Sequence, residues 1–173
     1  DFGYDDAPGH ATWLEPSEWL GSPRARNFPI HLISNQPKTR LHSQHDPGSV
    51  SLASKVQGRE PITMNSEDAS SRGIQDGDVV RVFNDRGQCL AGACLSDGIR
   101  PGVVNLSTGA WYDPEAPGGL DRHGNPNVLT LDKGTSKLAQ GPTAHSALVE
   151  IEKFEGDLPP VMAFEPPELR KPE

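Results

Sequence analysis

Asp76-Gly77-Asp78-Val79-Val80-Arg81-Val82-Phe83-Asn84-Asp85-Arg86-Gly87-Gln88-Cys89-Leu90-Ala91-Gly92-Ala93-Cys94 carries the clearest architecture in the chain. The branched run Val79-Val80-Arg81-Val82-Phe83 lies between two turn clusters, Asp76-Gly77-Asp78 and Asn84-Asp85-Arg86-Gly87. Branched and aromatic residues favour a pleated strand, and Asn, Asp and Gly favour the turn that reverses it. The pattern predicts a hairpin whose return strand occupies residues 88–95.

Working outward, the same signals predict strands at residues 31–34, at Ile62-Thr63-Met64, at Val103-Val104-Asn105-Leu106 behind the turn Arg100-Pro101-Gly102, and at residues 147–152. Asn127-Val128-Leu129-Thr130-Leu131 also predicts a strand. Ser66-Glu67-Asp68-Ala69-Ser70-Ser71-Arg72-Gly73 reads as a short helix: Ser66 caps it, Glu67 and Asp68 suit its positive end, and Gly73 stops it. A second short helix is expected around residues 50–56, and a single helical turn over residues 16–21. Residues 107–127 form a long Gly- and Pro-rich loop with Trp111, Tyr112 and Asp113, and a loop of that length in a compact domain is usually functional.

Composition supports the same class. Of 173 residues, 18 are Gly, 17 are Pro and 34% are hydrophobic, which favours short elements joined by turns over a helical bundle. The chain is long enough to bury roughly 70% of its unfolded surface. With 24 acidic and 16 basic side chains the formal charge is −8, the wrong sign for a nucleic-acid binder. No apolar run approaches the ~18 residues of a membrane span. Cys89 and Cys94 sit on one expected strand, and at ~3.3 Å per residue they are too far apart, and on opposite faces, to bridge. There is no CxxC pair for iron–sulfur or structural zinc. Asp1 follows no methionine or signal peptide, as expected of an excised or processed piece. Three regions are expected: an aromatic arm over residues 1–29 that packs on the body, a β domain over 30–154, and an extended Pro- and acid-rich tail over 155–173.

Two polar segments carry the candidate chemistry. The first, residues 31–44, starts as a strand, breaks at Asn35-Gln36-Pro37 and then presents Arg40, His42, Ser43 and Gln44 close together. His42, Ser43 and Asp46 invite a catalytic triad, but they are too close in sequence to face one another, and no Gly-x-Ser-x-Gly elbow is present. His42-x-x-His45 with Asp46 has metal-like spacing without a helix to display it. Glycine-rich phosphate loops of the dinucleotide or P-loop type are absent. The second segment, residues 127–141, holds Asn127, Asp132, Thr135, Ser136 and Gln140 around Gly134 and Gly141. Two polar segments far apart in sequence, bent by Gly and Pro, suit the holding of an elongated ligand better than bond-breaking chemistry.

The motifs together are specific. Leu32-Ile33-Ser34, Arg40-Leu41-His42-Ser43-Gln44, Gly58-Arg59-Glu60-Pro61, Asp68-Ala69 with Arg72-Gly73-Ile74, residues 76–87, Gly109-Ala110-Trp111-Tyr112-Asp113-Pro114 and Gly134-Thr135-Ser136-Lys137-Leu138-Ala139-Gln140-Gly141 resemble the C-terminal domain of the dimethyl sulfoxide reductase family of molybdenum enzymes. The resemblance runs over roughly residues 9–153, and it is strongest to the trimethylamine N-oxide, dimethyl sulfoxide and biotin sulfoxide reductase branch.

That resemblance implies a mainly-β fold, a double-psi β-barrel with a few short helices and long loops. It implies that the domain binds and orients the bis-molybdopterin guanine dinucleotide cofactor. By motif position, Ser34, Gln36, Arg40, His42, Ser43 and Gln44 are expected beside one dinucleotide, with Asn127, Gln140 and Gly141 across the cleft. Asn65 and Asp68 are expected near a guanine, where a carboxylate can accept from N1–H and the exocyclic amine. Many relatives carry histidine where Gln36 stands, and glutamine cannot carry a proton's charge there. The family supplies a serine ligand to molybdenum from a region upstream of this domain, so the piece alone is expected to hold no metal and not to turn over. Its expected partners are the upstream domains of the same polypeptide and a small N-oxide or S-oxide substrate, with no nucleic acid and no membrane insertion. The expected setting is anaerobic respiration in the periplasm, with the cytoplasm as alternative. A β-barrel that recognises a peptide is the alternative function, and a serine hydrolase is a third reading resting on scattered Ser, His and Asp.

Overall fold

The structure is a computed structural model, and it describes residues 3–166. Among the described residues six strands close into a barrel: β1 (Ile30–Ile33), β2 (Pro61–Met64), β3 (Val79–Phe83), β4 (Gln88–Leu95), β5 (Val103–Leu106) and β6 (Ala147–Lys153). Their order around the barrel is β1-β5-β2-β4-β3-β6. β1 runs parallel to β5 and β2 parallel to β4, and the remaining neighbours are antiparallel. This is the double-psi β-barrel expected from the motifs. The hairpin forms as read, with Val82 opposite Cys89 and Phe83 opposite Gln88.

The interior follows the period of two. Val80 and Val82 of β3, Val104 and Leu106 of β5, and Val149 and Ile151 of β6 all point into one apolar core. β4 is different, because Cys89 through Ala93 are all buried. Its outer face is covered by the long loop, where the Leu90 amide donates to the Asp121 carbonyl, and by Val56, which packs on Gly92. A run buried on both sides reads as continuous rather than alternating. Both cysteines are free thiols.

Four expectations change, the last at the cap of the second helix. Residues 16–21 are not helical; the helical piece is a 3-10 turn at Pro23–Arg26. Six residues are too few to repay helix nucleation without packing, and Gly21 instead lies under the Trp19 ring. The arm is also not held by its aromatics, since Trp13 is 82% exposed. It is held by charge: Glu18 pairs with Arg86 and accepts from the Leu148 amide, and Arg24 pairs with Asp85. In addition, Asn127-Val128-Leu129-Thr130-Leu131 is no strand. Pro126–Val128 forms a 3-10 turn that drops Leu129 into the core. The carbonyl this frees on Leu129 accepts from Asn84 Nδ2 at 2.8 Å and Arg86 Nε at 2.9 Å, so no ladder is needed to satisfy it.

Two helices sit on the barrel, α1 (Ser49–Ser54) and α2 (Ser66–Ser70). The cap of α2 is Asn65, not Ser66: its Oδ1 accepts from the Glu67 amide at 2.9 Å. The tail leaves β6, runs over the surface and ends in a turn over residues 162–165; residues 1–2 and 167–173 fall outside the described part.

Candidate functional site: a polar groove on a buried charge cluster

The site is built by two loops that lock together. Residues 40–46 turn back on themselves through the Leu41–Gln44 bridge, and His42 (φ 48°) and His45 (φ 61°) adopt the left-handed conformation to do so. Gly109 makes the seating possible. Its φ is +93°, and a Cβ there would collide with the His42 carbonyl oxygen. Trp111 closes the joint by donating its indole N–H to the Ser43 carbonyl at 2.8 Å.

Beneath these loops lies a charge cluster that sequence reasoning did not assemble. Lys55 Nζ sits 2.7 Å from Asp46 and 2.6 Å from Glu60. Arg40 lies 3.4 Å from Asp46 and 3.1 Å from Glu60. Ser51 donates to Asp46, and so does the Trp111 amide, at 3.0 Å. All four charged side chains are at least 98% buried. Burial alone would raise the Asp46 carboxyl, but Lys55, the Trp111 amide and Arg40 outweigh it and hold the group below its ordinary value. His123, fully buried nearby, donates Nδ1–H to the Trp111 carbonyl (3.1 Å). Burial pushes its imidazole below the ordinary value, with the Lys55 charge adding to the effect, so it is neutral at pH 7. Two cations and two carboxylates thus balance under the loops.

Above the cluster the lining is polar. His42, Ser43, Thr108, Trp111, Asn125 and Asn127 bound a cleft of about 450 Å³. Asn127 also bounds a second cleft of about 530 Å³ with Asp132, Gly134 and Gln140. Gln140 in turn bounds a third, of about 720 Å³, between Lys133, Thr135 and Ser17 of the arm. Neighbouring clefts share walls, Asn127 between the first two and Lys133, Gly134, Gln140 and Pro142 between the second and third, so the three adjoin in a row along the loops as a segmented groove. Asp121 shapes its floor: one carboxylate oxygen accepts from the Asp113 amide and the other from the Gly124 and Asn125 amides.

The structure therefore brings His42, Ser43, Asn127 and Gln140 into one groove. Gln140 is anchored by its own amide, which donates to the Ser136 carbonyl at 2.8 Å, and Gly141 by its carbonyl, which accepts from Thr135. Gln36 and Gln44 are exposed on the loops that flank it, and Ser34 is buried at the end of β1. Arg40 is also buried, and its donors serve the His42 and Thr108 carbonyls and the cluster. It acts on the groove through the backbone. Asn65 and Asp68 lie apart on α2, where Asn65 caps and also donates to the Ile99 carbonyl, and Asp68 accepts from the Gly102 amide. Neither bounds the groove. The triad reading fails on geometry: Asp46 faces Lys55 and Arg40 below the loop, while Ser43 and His42 face the groove above it. Among the described residues no cluster of His, Cys, Asp or Glu is arranged to hold a metal ion, and no helix is long and apolar enough to cross a membrane. Thr108, Trp111 and Asn125 were not foreseen as lining; the signals were the length of the loop that bears them and, for Trp111, the motif at residues 109–114.

Residues 30–148 match the family described as molydopterin dinucleotide binding domain. The chain is 49% identical over 168 residues, 95% of its length, to a dimethyl sulfoxide/trimethylamine N-oxide reductase of Cereibacter sphaeroides, of which it covers 20%. It is 52% identical over 161 residues (90% of the chain, 19% of the relative) to trimethylamine-N-oxide reductase 1 of Escherichia coli K12. It is 50% identical over 155 residues (90% and 21%) to a biotin sulfoxide reductase of Cereibacter sphaeroides. The chain thus spans about a fifth of the curated relatives it matches. In fold it is similar to acetylene hydratase from Pelobacter acetylenicus, with TM-score 0.67 at 17% identity over 83% of this chain and 21% of that one. A closed six-stranded barrel, a long polar groove along its loops and a family match over most of the barrel agree, and the chain belongs to the molydopterin dinucleotide binding domain family.

Proposed function

We propose that this chain is the cofactor-holding domain of a molybdenum-dependent reductase of small N-oxides or S-oxides, and that bis-molybdopterin guanine dinucleotide lies in the groove between residues 40–46 and 127–141. The observation that carries the reading is the row of adjoining clefts. Asn127 and Gln140 stand in the shared walls of three clefts that make a track suited to a ligand far longer than a single ring. The lining fits such a ligand. Carboxamides and hydroxyls can donate to and accept from a polar heterocycle, and Gly109 lets its loop pack directly on the His42 carbonyl, which fixes the backbone that presents His42 and Ser43. Lys133 near the far end can face phosphate, whereas the Lys137 ammonium is paired with Asp5 at 2.6 Å.

The chemistry that the cofactor supplies when bound is oxygen-atom transfer with two-electron return. The chain's own residues hold and orient. His42, Ser43, Asn127 and Gln140 offer hydrogen-bonding groups along the groove, and Arg40 and Trp111 fix the backbone that presents the first two. The metal's ligands, the upstream domains of the polypeptide and the substrate-facing residues belong to the rest of the parent enzyme, for which we propose the periplasm, with the cytoplasm as alternative. A peptide-binding role by strand addition has no place to act, because the closed barrel leaves no strand edge unpaired among the described residues.

Ser43→Ala and Asn127→Ala in the parent enzyme test the reading. Each is expected to lower the molybdenum and guanine nucleotide retained by the purified protein about fivefold, the size of one lost hydrogen bond of ~1 kcal/mol. Full occupancy in both variants would overturn it.

A further inference from the structure

The tail is tied to the groove at one point. Past β6 it crosses the tight turn at residues 56–59, where Arg59 Nη2 donates to the Pro159 carbonyl at 2.6 Å. It then reaches the long loop, where the Met162 amide donates to Asp113 Oδ2 at 2.8 Å. A final turn, closed by the Glu165 amide on the Met162 carbonyl, delivers Phe164 to the back of the site. Its ring stands edge-on to Trp111 (centroids 5.4 Å, 66°) and to His123 (5.0 Å, 88°). These are the two side chains on which the groove wall depends: the Trp111 indole holds the Ser43 carbonyl, and His123 holds the Trp111 carbonyl.

From this arrangement we infer that the tail segment 159–165 is a strap for the cofactor groove, and that Phe164 is a positioning residue that acts through Trp111. The inference rests on the cofactor reading above and adds an element outside the barrel to it. The physical reason is rotameric. Trp111 is 40% exposed, and one hydrogen bond does not by itself fix a large ring at that exposure. An aromatic edge against its face removes the alternatives. The strap's other contacts bind backbone atoms of Pro159 and Met162 and ask little of the tail's side chains. Among the described residues of the tail, Phe164 is the side chain that carries the message to the groove.

Two measurements test this. In the parent enzyme, hydrogen exchange of the Trp111 indole N–H reports the Ser43 bond directly. Phe164→Ala is expected to speed it about tenfold, the size of one edge-on aromatic contact, and Phe164→Tyr to restore it. In the molybdenum-loaded parent enzyme, Phe164→Ala and a chain ending at Gly156 are expected to lose molybdenum about tenfold faster in mild urea, with Phe164→Tyr again restored and the thermal midpoint little moved. Unchanged indole exchange in Phe164→Ala overturns the strap. Faster exchange with unchanged metal retention overturns its role at the groove, provided Ser43→Ala or Asn127→Ala still loses metal. If both of those variants also keep their metal, the cofactor reading fails and the inference falls with it. Loss of metal that Phe164→Tyr does not rescue, or that tracks the thermal midpoint across the variants, also overturns the positioning role.

Discussion

Lys55→Met removes an ammonium shared by two buried carboxylates and leaves Asp46 and Glu60 facing Arg40 alone. Burial, the largest cause of the lowered His123 pKa, persists when Lys55 is gone and still opposes a charge there. Breaking a buried pair by deleting one partner costs about 3–5 kcal/mol. Arg40 still lies within 3.4 Å of Asp46 and 3.1 Å of Glu60, which places the expected loss near the lower end, ~3 kcal/mol. For a chain of this size that is a fall in melting temperature of about 6–12 °C. The pH dependence separates charge from packing. The Asp46 carboxyl is held below its ordinary value in the folded chain, so its contribution is present above its unfolded pKa and is lost as pH falls through the folded one. Acid therefore removes in the wild type part of what methionine removes at neutral pH, and the deficit of the variant narrows as Asp46 protonates. Urea unfolding followed by circular dichroism at pH 7 and at about pH 2.5, below the ordinary aspartate range through which the folded Asp46 must pass, measures both. Lys55→Met/Glu60→Gln, which restores the balance of charge, should recover about half the loss or more. A deficit below ~1 kcal/mol, or one of equal size at both pH values, would show that the cluster's electrostatics are not what supports the loops.

Gly109→Ala should destabilise the chain by about 2 kcal/mol or more and reduce cofactor retention, because both its φ and its contact with His42 forbid a Cβ. Gly118→Ala, with φ +76° and open space around it, isolates the strain and should cost only about 1 kcal/mol; equal losses in the two variants would remove the argument from close approach. His123 has its pKa lowered on folding, so the unfolded chain takes up the proton first and stability falls as pH drops below the unfolded value of about 6.5. His123→Gln should flatten the stability profile between about pH 6.5 and 5; an unchanged slope in urea titrations would assign it to other groups.

The barrel was legible wherever local pattern and tertiary role coincide. β3 alternates because one face is core, and its turn residues end it where the ladder ends. Residues 127–131 misled for the converse reason. Val128 and Leu129 are apolar because they plug the core from a turn, and the donors that make this possible, Asn84 and Arg86, stand more than forty positions away. The arm misled similarly: its tryptophans suggested packing, whereas Glu18 finds its partners at Arg86 and Leu148. In the site, His42 and Ser43 were visible as a polar cluster at a proline-broken segment. The cluster beneath them was not. Arg40, Asp46, Lys55, Glu60 and His123 carry no shared spacing, and only closure of the barrel brings them within bonding distance.

The pairing of β1 with β6 has a mechanical consequence. The two strands are antiparallel, with Ile30 beside Val149, so the chain comes into the barrel and leaves it at the same end. Tension applied through both flanks would load that ladder from one end and part its bonds one after another, as a zipper opens, rather than shearing them all together. The barrel that binds its neighbours so fully sideways is in this direction soft, and Glu18, clamped to Arg86 and to the Leu148 amide across that seam, is the stitch that must give first.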